Sequence, residues 1–136
     1  MQPGESSATI RQRVVNARNI QLKRYKGFPD IYCNAHMPEE HLNNFCNIET
    51  HARRFLLKNI NLLQLSVRSY SKIMKVSRTI ADLAGSNDIE LPHIGEAIHF
   101  RNLDKPLIFP YAKRSLNKRS RAKVSADYIT ELLSGK

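Results

Sequence analysis

Arg68 is the residue whose type and position most directly suggest chemistry. It lies in the first turn of a helix predicted over residues 66–84, where Ser66 can cap the start and Gly85 suits a left-handed C-terminal cap. A planar guanidinium at a helix start can bind a phosphate through two hydrogen bonds, and the packed face behind it holds it in place. From periodicity alone, an exposed arginine without a ligand is the favoured interpretation.

The two faces of this predicted helix differ in polarity. At 100° per residue, one side collects Tyr70, Ile73, Ser77, Ile80, Ala81 and Ala84. Arg68, Lys72 and Lys75 fall on the other side, where the lysines either border a nucleotide or a neighbouring subunit or form a solvated stripe. Arg78 points elsewhere, and a structural salt bridge with Asp82, four residues later, is its preferred role.

Cysteine and histidine side chains are numerous enough to raise the possibility of a zinc site. The candidate ligands are Cys33, His36, His41, Cys46 and His51. Their spacing is poor, because a closed tetrahedral site usually takes paired ligands from two tight turns and only Cys33 and His36 form such a pair. Cys46 fits better as a small buried residue that ends a short helix. We therefore expect no metal.

The sequence lacks the motifs that would make it an ATPase by itself. It has no G-x-x-x-x-G-K-[ST] loop to hold phosphates and no acidic strand end of the Walker-B kind to hold magnesium. It also shows no serine or cysteine nucleophile with a partnered base. The chain is not expected to be catalytic alone.

The net charge of +10 is unevenly distributed along the 136 residues. Residues 1–104 carry 14 basic and 10 acidic side chains, whereas residues 105–136 carry 8 and 2. The tail's basic cluster comprises Lys113, Arg114, Lys118, Arg119, Arg121 and Lys123. Such a cluster can attract nucleic acid by counterion release, but a solvated, partly disordered tail with a short helix over residues 125–133 is the preferred interpretation.

Composition also constrains the cellular setting. There are two cysteines, no secretory segment and no apolar run of membrane-spanning length. We expect a reducing, cytoplasmic environment, no disulfide framework and no membrane partner.

Apolar periodicity and turn residues predict an all-α bundle of four to five helices over residues 1–104. The expected helices start at Ser6 or Ser7, and then cover residues 38–45, 48–63, 66–84 and 92–102. In the first helix an apolar stripe is formed by Ile10, Val14, Ala17 and Gln21. The opposite side of that helix is rich in arginine. Short loops favour antiparallel neighbours, and no segment shows strand alternation.

Four segments together resemble the C-terminal lid of magnesium-chelatase-like AAA+ ATPases, in the competence-associated branch. They are SSATIRQRVVNARNIQLKRY (6–25), CNAHM (33–37), LSVRSYSKIMKVSRTIADLAG (65–85) and DIELPHIGEAIHFRNLD (88–104). The four occur in the order that is typical of the family. The resemblance covers residues 4–104 and leaves the basic tail outside it.

The resemblance implies a role in a larger enzyme. Arg68 takes the position of the sensor-2 arginine, which contacts the ATP γ-phosphate and couples nucleotide state to lid position. ATP with Mg²⁺ would be bound by a preceding P-loop domain, and the full-length protein would form a ring, typically a hexamer, that acts on DNA in uptake or recombination. Arg11 and Arg18 then either contact a neighbouring subunit, face nucleic acid or are simply solvated.

A different class of function remains open, namely a DNA-binding module that acts alone. The predicted helices 66–84 and 92–102 resemble a helix-turn-helix pair, and the positive charge is favourable. Against it, six or seven connecting residues exceed the usual three-to-four-residue turn. The second helix, with His93, Glu96 and His99, also offers few side chains that read bases.

Overall fold

The computed structural model describes residues 3–103 and Leu133. Five α-helices occur in this part of the chain: α1 (Ser7–Arg24), α2 (Leu42–Phe45), α3 (Thr50–Leu63), α4 (Val67–Leu83) and α5 (Leu91–Leu103). Two short 3-10 helices, Asn34–His36 and Glu39–His41, precede α2. The predicted all-α bundle is therefore confirmed.

Serine side chains fix the starts of both long helices. Ser66 Oγ accepts the Ser69 backbone N–H at 3.2 Å at the start of α4. Ser6 Oγ accepts the Thr9 backbone N–H at the same distance at the start of α1. At the other end of α4, Gly85 has φ +70° and donates its backbone N–H to the Asp82 carbonyl. Both predicted ends of α4 are confirmed, because each cap satisfies backbone groups that the helix leaves unpaired.

The buried face of α4 is wider than the sequence suggested. Its buried residues are Tyr70, Ser71, Ile73, Met74, Ser77, Arg78, Ala81 and Asp82. Ile80 is only half-buried, and the prediction that Ala84 lies on the packed face is wrong, because Ala84 is exposed at the C-terminal cap. The wider face follows from the position of α4, which packs against both α5 and α1.

The remaining core comes from α3, α5 and the segments between helices. Ala52, Leu56 and Ile60 of α3 and Ile94 and Ala97 of α5 belong to the same hydrophobic cluster as the apolar side of α4. α5 packs against both α3 and α4. This arrangement leaves the start of α4 at the edge of a well-packed core.

Only the C-terminal half of α1 joins this core. Ala17 and Gln21 are buried as the stripe predicts, but Ile10 and Val14 are 43% and 46% exposed. Every residue from 7 to 16 is exposed. The predicted packing of the first half of α1 is therefore wrong within the described residues, where this half of the helix stays exposed.

A backbone pairing shortens α3 at its start. Ile89 donates its N–H to the Asn47 carbonyl at 2.8 Å, and Glu49 donates to the Ile89 carbonyl at 3.0 Å. These bonds form an isolated parallel bridge between Ile48 and Ile89, and the described residues contain no strand. The helix predicted from Ile48 therefore begins only at Thr50, because the backbone around Ile48 is extended and paired.

The helix predicted over residues 125–133 is described only at Leu133. Leu133 is helical and buried, and its carbonyl accepts a hydrogen bond from Arg53 Nη1 at 2.6 Å. The rest of the helix predicted over residues 125–133 lies outside the described residues.

None of the described helices is long and apolar enough to cross a membrane.

Candidate functional site

Arg68 is the second residue of α4, and its side chain is exposed. No hydrogen bond or ion pair joins it to another residue of the described chain. An arginine at a helix start with all its donors available can present two parallel N–H groups to a carboxylate or phosphate. The geometry predicted for an anion-binding arginine is thus present, without a ligand being shown.

The backbone that carries Arg68 is held firmly although the side chain is free. Leu65, just before the helix, is fully buried, and Tyr70, in the same turn as Arg68, is 2% exposed. The Ser66 cap fixes the segment between them. The side chain is therefore anchored at its base and free at its tip, which favours reproducible positioning against a partner group.

The two lysines predicted on the Arg68 face of α4 differ in exposure. Lys72 is exposed and one turn from Arg68, whereas Lys75 is half-buried. Asp82 is the one acidic residue within α4, and it lies at the far end of the helix. Like charges four residues apart destabilise a helix by about 0.2–0.5 kcal/mol, so Arg68 and Lys72 form a cationic surface that helix stability alone does not favour.

The basic residues of α1 are not brought to Arg68 by any described hydrogen bond or ion pair. Arg11 and Arg18 are exposed, and Arg13 forms an exposed ion pair with Glu5 at 2.9 Å. The polar contacts between α1 and α4 instead involve Asp82, about 21 Å along the helix from Arg68 at 1.5 Å per residue. Arg11 and Arg18 are thus available to a partner and are not part of a shared site in this chain.

At that far end of α4, a buried carboxylate links two arginines. Arg24 Nη1 donates to Asp82 Oδ2 at 2.7 Å, Arg24 Nη2 donates to Oδ1, and Arg78 Nε donates to Oδ1 at 3.1 Å. Arg78 and Asp82 are each 2% exposed. The predicted Arg78–Asp82 salt bridge is confirmed. Arg24 differs from the exposed Arg11 and Arg18 of the same helix, because its guanidinium is partly buried against Asp82.

The same cluster sets the protonation of Asp82. Burial alone would raise the pKa of this carboxyl, but hydrogen bonds from Arg24 and Asn34 and the charges of Arg24 and Arg78 outweigh burial and lower the pKa. Arg78 also donates to the carbonyls of Asn87 and Ser86, at 2.8 and 2.7 Å. The cluster thereby ties α1, α4 and the segment before α5 together.

Asn34, the second residue of the CNAHM segment, completes this cluster. Its Nδ2 donates to Asp82 Oδ2 at 2.9 Å and to Thr79 Oγ1 at 3.0 Å. Its Oδ1 accepts hydrogen bonds from Tyr25 and Arg24, at 2.6 and 3.0 Å. Sequence reasoning missed this role. The available signal concerned its partner Arg24, which continues the buried Ala17–Gln21 stripe at helical spacing.

Two of the side chains considered for zinc, Cys46 and His41, have other surroundings. Cys46 is buried at the end of α2, as predicted, and burial raises the pKa of its thiol to about 12. His41 packs edge-on against Phe28 and Phe45, with ring centroids 5.3 and 6.0 Å away. Within the described residues, no group of three or more His, Cys, Asp or Glu side chains could hold a metal ion.

The basic cluster predicted to contact nucleic acid cannot be placed. Lys113, Arg114, Lys118, Arg119 and Arg121 all lie outside the described residues. Their role stays a prediction from the sequence.

Known proteins share most of this chain. Competence protein ComM of Haemophilus influenzae is 41% identical over 98 residues, which cover 72% of this chain and 18% of that protein. Uncharacterized protein YifB of Escherichia coli is 39% identical over 106 residues, or 78% of this chain and 20% of that protein. YifB of Salmonella typhimurium is 34% identical over 105 residues, or 77% and 20%.

The chain thus spans about a fifth of the length of the curated relatives it matches. No solved structure gives a significant match. The family described as magnesium chelatase, subunit ChlI C-terminal, matches residues 4–101, a range that includes α1, the Asp82 cluster and Arg68. The resemblance inferred from the four segments is confirmed, and the chain belongs to this family of magnesium-chelatase C-terminal domains.

Proposed function

We propose that this chain is the lid of a magnesium-chelatase-like AAA+ ATPase and that Arg68 is its sensor-2 arginine. The observation that carries the proposal is the state of Arg68: an exposed, unpaired guanidinium on a helix start that is capped and packed. In this role Arg68 would contact the γ-phosphate of ATP bound with Mg²⁺ by a P-loop domain of the same protein. The residues described here would supply the arginine and the rigid helix behind it, and not the phosphate cradle.

The proposal extends to the assembly that the full-length protein would form. A homo-oligomeric ring, with a hexamer as the expected form, would place Arg68, Lys72 and Lys75 near a nucleotide or a neighbouring subunit. Arg11 and Arg18, exposed on α1, would be available for intersubunit contacts. The relative named as a competence protein supports DNA processing as the task of the motor.

The decisive experiment compares ATPase rates of the full-length protein and its Arg68→Ala variant. Removing one charge-assisted hydrogen bond to the transferred phosphate costs about 1.5–3 kcal/mol, so turnover should fall roughly tenfold to a hundredfold. Arg54→Ala removes another exposed arginine, from α3, and should leave the rate unchanged. Wild-type turnover in Arg68→Ala would exclude the assignment.

Stability measurements distinguish loss of a catalytic contact from loss of folding. Because Arg68 has no partner among the described residues, Arg68→Ala should unfold at the same urea concentration as wild type. A second, simpler test is the coding sequence upstream of Met1, where a P-loop motif is expected. A coding sequence that begins at Met1 would count against a lid.

A DNA-binding module is the competing proposal, and the net charge of +10 is what favours it. The helix-turn-helix geometry is less favourable, because seven residues separate α4 from α5 and Ile89 among them is paired with Ile48. On α5, Glu96 and His99 are exposed, while Arg101 is half-buried and donates to Ser69. Salt-dependent binding to duplex DNA that persists without residues 105–136 would favour this module over the lid.

A further inference from the structure

A cavity of about 390 Å³ opens between α4 and α5, and polar and apolar side chains line it together. Ser69 and Lys72 of α4 and Arg101 of α5 supply the polar groups. The other lining residues are apolar: Ile73, Val76, Ala97 and Phe100. A volume of this size falls within the range of small-ligand and side-chain binding pockets, about 300–1,000 Å³.

The two positive charges of the cavity are not neutralised from within it. None of the lining residues is acidic. Arg101 Nη2 donates to Ser69 Oγ at 3.0 Å, but Arg101 Nη1 is shut off from solvent and has no hydrogen-bond partner among the described residues. Leaving a buried donor of this kind unsatisfied costs about 1–3 kcal/mol. Lys72 and Arg101 leave the cavity lining positively charged, and this charge favours an anion as the occupant.

The rim of the cavity is apolar, and this constrains the chemistry of the occupant. Val76 and Phe100 are 40% and 47% exposed, although Ile73 and Ala97 beside them are buried. Aromatic and arginine side chains are enriched at protein interfaces and often dominate binding energy. The occupant should therefore carry an apolar group directly beside its negative charge.

The backbone around the cavity favours a carboxylate over a phosphate. The backbone N–H groups of α4 from residue 71 onward and of the last two turns of α5 lie within helices, so they are not free to cradle phosphate oxygens. Arg101 stands in the last turn of α5, where the negative end of the helix dipole disfavours a doubly charged anion more than a singly charged one. A single negative charge that accepts hydrogen bonds from both Lys72 and Arg101 suits this site.

We propose that the α4–α5 cavity binds a segment of a partner protein in which an aspartate or glutamate stands beside an apolar side chain. The carboxylate would accept hydrogen bonds from Arg101 and Lys72, and the apolar neighbour would cover Val76 and Phe100. Arg68 does not line the cavity, although Lys72 does, so Arg68→Ala tests the proposed nucleotide contact without changing the cavity lining.

The test is an NMR titration of the ¹⁵N-labelled 136-residue chain with an acetylated, amidated Leu-Glu-Leu peptide. Saturable shifts of amide signals from residues 69–76 and 97–101 are expected. The matched Leu-Gln-Leu peptide should bind about tenfold more weakly or worse, because it lacks the charge. Equal binding of the two peptides, or no saturable shift at these amides, would overturn the proposal.

Variants of the chain assign the binding to the cavity. Lys72→Gln and Arg101→Gln should each weaken binding of the glutamate peptide about tenfold, whereas Lys58→Gln, on the exposed surface of α3, should not. Lys72 has no hydrogen bond to another described residue, so it remains informative if Arg101→Gln lowers stability. Phenyl phosphate is the third arm: tighter binding than the glutamate peptide would contradict a protein partner. Unchanged affinity in both variants would place the peptide elsewhere.

Discussion

Asp82 accepts hydrogen bonds from both Arg24 and Arg78, and this shared carboxylate joins α1 to the helix that carries Arg68. Asn34 and Thr79 extend the contact through a further pair of hydrogen bonds. Because α1 is otherwise exposed over residues 7–16, this cluster is its main polar attachment to the described bundle. A movement of α1 would therefore be transmitted through these hydrogen bonds to the C-terminal end of α4.

Replacing the shared carboxylate should destabilise the fold severely. Asp82→Asn leaves Arg24 and Arg78 without a counter-ion in a site where Asp82 is 2% exposed, and breaking a buried pair of this kind costs about 3–5 kcal/mol. Urea unfolding followed by far-UV circular dichroism measures the loss; the chain has no tryptophan to serve as a fluorescence probe. Glu96→Gln, an exposed carboxylate on α5, should change the unfolding free energy by less than about 0.5 kcal/mol. Similar values for the two variants would show that the cluster is not stabilising.

The same carboxyl should make stability depend on pH in acid. Since folding lowers the pKa of Asp82 below its ordinary 3.8, its contribution is fully present above that value and is lost as pH falls through the folded-state pKa. The difference in unfolding free energy between wild type and Asp82→Asn should be constant from about pH 5 to 7 and shrink below about pH 4. Urea titrations at several pH values measure this difference directly. The other carboxyls are common to both proteins, so their titration cancels in the difference. A difference that grows toward acid would mean that Asp82 titrates above its ordinary pKa.

The helices were predictable because their signals are local. Ser66 and Gly85 mark α4 by their own capping chemistry, and the apolar period located its packed side. The start of α3 was not predictable, because the backbone at Ile48 pairs with Ile89, which is 41 residues away. Local patterns cannot report such a distant bond.

The features of the candidate site also divide into those that local spacing predicts and those that depend on long-range packing. The exposure of Arg68 and the Arg78–Asp82 pair follow from helical spacing, and both were predicted. The role of Asn34 depends on how the CNAHM segment packs on α4, which one sequence does not encode in a readable period. For Arg24, helical spacing after Gln21 signals burial but does not identify Asp82 as its partner. The exposed first half of α1 has the pattern of a packed helix, so periodicity alone assigned it a core that the described residues do not provide.

Replacing each of two glycines by alanine should change the free energy of unfolding in opposite directions. Gly85 has φ +70°, and a Cβ there would meet nothing within 4 Å, so Gly85→Ala loses about 1 kcal/mol through backbone strain alone. Gly95 lies inside α5 in equally open space and has an ordinary φ, so Gly95→Ala should gain about 0.5–1 kcal/mol. Urea unfolding of the two variants beside wild type measures both changes. Equal effects of the same sign would exclude the left-handed cap as the reason for Gly85.

The two serine caps allow the position of Arg68 to be tested without touching it. Ser66 and Ser6 accept the same type of backbone hydrogen bond at 3.2 Å, and each also bonds a hydroxyl three residues later. Ser66→Ala should cost about 1 kcal/mol of stability, since α4 is part of the core. Ser6→Ala should cost less, since the first half of α1 is exposed and can fray locally. In the full-length protein, Ser66→Ala alone should lower ATPase turnover, because a frayed start no longer holds the Arg68 backbone. Equal turnover in the two variants would indicate that the position of Arg68 does not limit hydrolysis.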